Sequence, residues 1–215
     1  MSRVEQYMEY REVGKGLNSR MMESCLDEAA LSGSAELLGI GSAEKDAGDD
    51  VLVFDGEEDM DVLYDFALHE YRQDGKTAVE LFRGRELWES EVEKEFLDTL
   101  VRSSTSLFRV TEVDRPEYLL TLEDLLNDAA GIEMIDRGFS RTADSGVLMF
   151  YRRVPVEEFS MTSGVAFPFP SGLEDHLLTV YEQVRDRVAS RLEAVKRFVS
   201  FYKLHRKYGT QVRYE

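Results

Sequence analysis

Apolar residues along the chain change their spacing twice, and the two changes divide it into three parts. From Val4 to Leu26 they return at intervals of three and four, with Val4, Tyr7, Met8 and Tyr10 on one face and Leu17, Met21, Met22, Cys25 and Leu26 on another. Gly14 and Gly16 stand between the two sets, so the pattern predicts two short helices. Glycines then cluster between Ser32 and Asp50 around a short helical piece, Ala35 to Leu38. Val51 to Phe54 is an apolar run that fits a strand or the lead into the next helix. Asp55 is a good N-cap for a helix to Arg72, with Glu57, Glu58 and Asp59 at its positive end and Met60, Leu63, Tyr64, Ala67, Leu68 and Tyr71 as its stripe. Gln73 to Lys76 reads as a turn, and Leu87 to Val101 as another helix with Trp88 as a core anchor.

After Ser106 the period falls to two. Leu107–Val113, Tyr118–Leu122, Ile132–Asp136, Val147–Val154 and Ser160–Phe167 read as five strands joined by short segments holding Gly131, Gly138, Gly146 and Pro155. An antiparallel meander is expected, able to close as a small barrel. Past Phe167-Pro168-Phe169-Pro170 the helical spacing resumes and runs unbroken from Leu173 to about His205. The expected fold is therefore α+β. Residues 1–105 form a mainly helical region, 106–170 a five-stranded antiparallel β-domain, and 171–215 a long C-terminal helix with a basic end.

That last helix carries Tyr181, Val188, Val195 and Tyr202 at a seven-residue period, which suits packing across the N-terminal helices or pairing with a protein partner or second copy. Residues 191–215 hold seven basic and two acidic side chains, against a net −22 for the rest. Cations favour helix C-termini. The same segment, with the β-domain arginines, also offers contacts to an anion or nucleic acid: Arg152, Arg153, Arg197, Lys203, Arg206 and Lys207. In so acidic a chain, salt bridging is the plainer role for the Arg152-Arg153 pair.

Charge narrows the reading further. The chain of 215 residues carries 43 acidic and 26 basic side chains, a net −17, and only seven of the basic ones are lysine. Such a carboxylate-rich, lysine-poor surface is expected where high salt screens self-repulsion within a few Å, as in a halophile cytoplasm. Cys25 is alone, which excludes an intrachain disulfide and a cysteine zinc cage and leaves a buried structural thiol as its expected role. No segment approaches the ~18 apolar residues of a membrane span, and the first residues lack the apolar run of a signal peptide.

Motifs with chemistry are incomplete. Gly14-Lys15-Gly16 lacks the spacing and hydroxyl of a phosphate loop, and Gly39-Ile40-Gly41 has Glu44 where a dinucleotide fingerprint needs glycine. The acids at 57–59 lack EF-hand spacing. Ser140, Asp144 and His176 could be drawn as a hydrolase set, without a Gly-x-Ser-x-Gly elbow. No catalytic, cofactor or metal residue is assigned on this basis.

The order Tyr64-Asp65-Phe66-Ala67-Leu68, Asp74-Gly75-Lys76-Thr77, Ser106 to Val113, Leu122 to Leu126, Arg152 to Pro155 and Phe167 to Pro170 resembles the non-zinc region of prokaryotic proteins that often carry an SEC-C motif. The resemblance covers roughly residues 60–170. It implies no zinc here, because one cysteine cannot supply that motif's cluster, and it implies no particular activity. The residues point first to a non-catalytic binding or interaction module, second to a nucleic-acid-associated protein using the basic C-terminal helix, and third to a hydrolase.

Overall fold

Local capping chemistry sets where the helices begin. In the computed structural model, which describes residues 1–41 and 57–210, Ser2 and Glu5 form a reciprocal capping box that opens α1 (Arg3–Cys25). Asp27 accepts the amide of Ala30 and opens α2 (Glu28–Leu38), which closes on Gly39 at φ 77°. The expected break at Gly14 and Gly16 is absent, and α2 runs through Gly33. Gly14 and Gly33 serve close approach: a Cβ on Gly14 would lie 2.9 Å from Phe96 Cε1, and one on Gly33 would lie 2.5 Å from Tyr71 Oη. The Val51–Phe54 run and the Asp55 cap fall outside the described residues.

Three further helices follow. α3 (Glu57–His69) leads to the Gln73–Lys76 turn, where Asp74 and Gly75 take positive φ. Thr77 and Glu80 then box the start of α4 (Ala78–Gly84), and Ser90 caps α5 (Glu91–Val101). Trp88 precedes α5, half-buried, with the Arg83 guanidinium 4.9 Å over its ring. Cys25 is buried, and burial pushes its thiol pKa up.

All five strands appear: β1 (Ser104–Asp114), β2 (Leu119–Asp124), β3 (Ala129–Ile135), β4 (Leu148–Pro155) and β5 (Ser160–Phe169). They are not a meander. The order β1-β2-β3-β5-β4 closes as a barrel, with the short helix α6 (Phe139–Thr142) on the crossover from β3 to β4. Four neighbour pairs are antiparallel, and the seam between β3 and β5 is parallel through Met134 and Ser160. The length of β1 explains this. Residues 104–109 pair with β4, residues 108–114 pair with β2, and a register shift between Val110 and Glu112 bends the strand from one partner to the other.

Both faces of the first half of β1 are buried. Phe108, Val110, Leu120, Leu122, Met134, Met149 and Tyr151 fill the barrel interior. On the outside, Leu107, Phe150, Phe167 and Phe169 meet α2, α3 and the C-terminal helices. A third core joins α1, α4 and α5 to Ile135, Val154, Phe159 and Met161. The helix α3 contributes Val62, Leu63 and Phe66 to one helical core and Leu68 to the other, so it is buried around most of its circumference.

The continuous C-terminal helix is corrected. It is two helices, α7 (Glu174–Val184) and α8 (Glu193–Tyr208), separated by a 3-10 turn at Arg185–Arg187 and extended backbone at Val188 and Leu192. No proline or glycine makes the break; packing does. A straight helix would span roughly 50 Å, whereas folding back lets Leu177, Tyr181, Phe198, Val199, Phe201 and Tyr202 share one core over the barrel. Lys196 ties the return by bonding Asp186 at 2.7 Å. The heptad positions Tyr181, Val195 and Tyr202 are buried inside the chain, so that stripe is not held out to a partner.

The glycine contacts make a paired prediction. Gly33→Ala should destabilise the protein by about 1–3 kcal/mol through overpacking against Tyr71. Gly16→Ala, with nothing within 4 Å of its Cβ, should stabilise α1 by about 0.5–1 kcal/mol. Urea midpoints of the two variants check both.

Candidate binding cleft

One side of α3 presents Asp65 and His69 toward β4, one helical turn apart, and Glu70 follows in the turn that ends the helix. From β4, Arg152 points the opposite way from its neighbour Tyr151, because successive strand residues alternate faces. The result is a buried ion cluster. Arg152 Nη2 donates to Glu70 at 2.7 Å and to Asp65 at 3.2 Å, and Nε donates to Asp65 at 3.4 Å. The Arg152, Asp65 and Glu70 side chains are only 3%, 6% and 4% exposed.

Electrostatics inside the cluster follow from burial and neighbours. Burial opposes the Asp65 charge, yet the Arg152 guanidinium holds that carboxyl below its usual range. Burial also works against the Arg152 charge, while Asp65 and Glu70 hold the guanidinium pKa above its ordinary value. For His69 burial and Arg152 act together, overriding Asp65, and pull the imidazole down to about 3. His69 is therefore neutral at physiological pH.

Two cavities meet at His69. The larger, about 200 Å³, lies among α3, α4, the end of α5, the start of β1, β4 and α8, with Thr105, Arg152 and Arg197 in its wall. The smaller, about 130 Å³, lies against α1 and β5 and is lined by Arg11, Lys15 and Asn18 among others. Thr77 and the 73–76 turn bring Arg72 to the larger cavity, where it bonds Gly75 O and Glu80. Arg197 Nη1 donates to Thr105 O at 2.6 Å.

The six basic residues singled out from the sequence are dispersed. Arg152 is withdrawn from solvent and salt-bridged, so it does not present an exposed charge to a polyanion. Arg153 is half-buried on the other face of β4, and Arg197 is half-buried on the larger cavity. Only Lys203, Arg206 and Lys207 lie exposed, on the last turns of α8, and Arg206 is bonded to Tyr202 and 3.8 Å from Asp59. Of the hydrolase set, Ser140 Oγ donates to Arg137 O, Asp144 accepts from Arg115, and the His176 ring stands edge-on to Tyr208 at 4.9 Å. No hydrogen bond links the three. Among the described residues no group of His, Cys, Asp and Glu stands where it could hold a metal ion, and no helix is long and apolar enough to cross a membrane.

Five-stranded Greek-key barrels of the OB type bind oligonucleotides and oligosaccharides across strands 2 and 3 and two adjoining loops. Here the corresponding surface carries Glu123 and Glu133, and its loops Glu117, Glu157 and Glu158, with no exposed aromatic ring among the described residues to stack a base.

Sequence reasoning named Arg152 but missed Asp65, His69 and Glu70 as its companions. The available signal was an acid within the apolar run Val62-Leu63-Tyr64-Asp65-Phe66-Ala67-Leu68, since a carboxylate there is buried only when paired.

Fold and cleft together define an α+β protein whose helical layer and five-stranded barrel enclose a charged, arginine-lined cavity. Over residues 1–215 the chain matches, and belongs to, a family of unknown function, DUF7986. No curated protein and no solved structure matches it.

The histidine makes the protein sensitive to acid. Its folded pKa of about 3 lies below the ordinary 6.5, so between those values the unfolded chain binds more protons and stability falls as pH drops. Asp65, with its folded pKa also depressed, adds a loss at lower pH. Urea midpoints should decline from pH 7 to pH 4.5, about one unfolding-linked proton being attributable to His69; in His69→Gln that slope should flatten over the same range.

Proposed function

We propose that the chain is a non-catalytic binding module of a salt-rich cytoplasm, and that its ligand lodges in the cleft floored by Arg152. The observation that carries this reading is the ion cluster itself. Asp65 and Glu70 share the one Arg152 guanidinium in a cluster of net charge −1, and His69 is held neutral beside them. General acid–base work needs a group poised near the working pH, and nucleophilic work needs a nucleophile within reach of a base. A rigid, mutually satisfied floor suits holding a ligand.

Contact with nucleic acid ranks behind this. Lys203 and Lys207 favour it, but the acidic barrel surface and the engaged Arg206 oppose it by repulsion and competition.

Exposure of the purified full chain to a small-molecule extract of its native cytoplasm, followed by desalting and mass spectrometry, tests the module. A retained small molecule is expected. Ala194→Trp, which fills the rim of the larger cavity from an exposed position, should reduce retention by about tenfold or more, equivalent to about 1.4 kcal/mol. Failure to retain anything, or turnover in esterase, phosphatase or nuclease screens that a single cleft carboxylate substitution abolishes, would contradict the reading.

A further inference from the structure

The geometry points to the chemical class of that ligand, and the inference rests on the binding-module reading: we propose that the larger cavity takes a small oxyanion, the carboxylate or phosphate group of a small molecule, held by Arg197, Thr105 and Arg152. Three observations converge on it. The first is unmet hydrogen-bonding capacity. Arg197 Nε and Thr105 Oγ1 are buried without a partner among the described residues although both residues line the cavity, and Thr105 is 2% exposed. Buried donors of this kind are normally satisfied, and a bound acceptor is one way to satisfy them. Arg152 adds to them, because its Asp65 and Glu70 bonds use Nε and Nη2 and leave Nη1 without a bond among the described residues.

The second observation is the local charge. The charged residues lining the larger cavity are Arg72, Arg152 and Arg197 against Glu70 and Glu80, and with Asp65, which bonds Arg152, the local balance is zero in a chain of −17. The adjoining cavity adds Arg11 and Lys15 and no acid. An anion approaching this acidic molecule therefore finds its favourable potential here, inside walls that salt screens less than the surface. Third, Arg197 has no carboxylate partner among the described residues. Its planar fork is suited to two oxygens of one acid group. A volume of about 200 Å³ falls below the ~300 Å³ of pockets for drug-sized ligands, which restricts the occupant to a small molecule.

Thermal denaturation of the full chain, titrated separately with inorganic phosphate, acetate and glycerol at constant ionic strength, decides the matter. Phosphate or acetate should raise the midpoint saturably, and the one acting at lower concentration distinguishes a phosphoryl from a carboxylate ligand. Arg197→Gln and Thr105→Val should each raise the half-saturating concentration about tenfold or more. Thr105→Val is isosteric and carries the test should Arg197→Gln not fold. An equal rise in wild type and variants, or no saturable rise with either anion, overturns the proposal. A response to glycerol alone that Ala194→Trp removes overturns the oxyanion class and leaves the binding module standing; failure of the native-extract capture removes the module itself.

Discussion

A guanidinium taken out of water is tolerated only where carboxylates meet it, and the rest of this structure depends on one such meeting. Arg152 on β4 is held by Asp65 on α3 and by Glu70 just past its end, 87 and 82 residues away in the chain. Removing one partner from a buried cluster leaves charge without compensation, which costs about 3–5 kcal/mol. The cluster therefore fixes where the helical layer sits on the barrel. It also fixes the register of β4, because a slip by one residue would turn Arg152 into the apolar barrel interior and Tyr151 out of it.

Around that fixed point the apolar parts close in layers. Phe150 on β4 stacks on Phe201 of α8 with ring centroids 4.4 Å apart, and Phe167 meets Phe198 edge-on at 5.6 Å. These contacts need α8 to lie across the outer faces of β1, β4 and β5, and that need is what bends the C-terminal segment after α7. The same placement brings Arg197 from α8 to the cavity that Arg152 floors from β4. Core packing and cleft construction are thus one arrangement, with the ion cluster between two apolar cores.

Much of this is legible in the sequence, for reasons that differ by element. The strands stand out because their period of two contrasts with helical spacing on both sides, and the turn at Gln73–Lys76 because Asp-Gly adopts positive φ readily. The glycines at 14 and 33 mislead, since a residue that weakens an isolated helix is retained where another side chain needs its space. The break between α7 and α8 has no local mark; it follows from tertiary packing that overrides helix propensity. The cleft is legible only in part. Arg152 is conspicuous beside Arg153, but its partners are remote in sequence, and which of two adjacent arginines faces the helical layer depends on the register of β4 against β1 and β5.

Native-state hydrogen exchange on Arg152→Met measures the central claim most directly, since it reads α3 and the barrel separately in one molecule. If the buried cluster joins them into one cooperative unit, protection of α3 and of β4 should fall together by about 3–5 kcal/mol. Loss of protection confined to α3, with the barrel strands exchanging as in the wild type, would show two independent units and contradict the account.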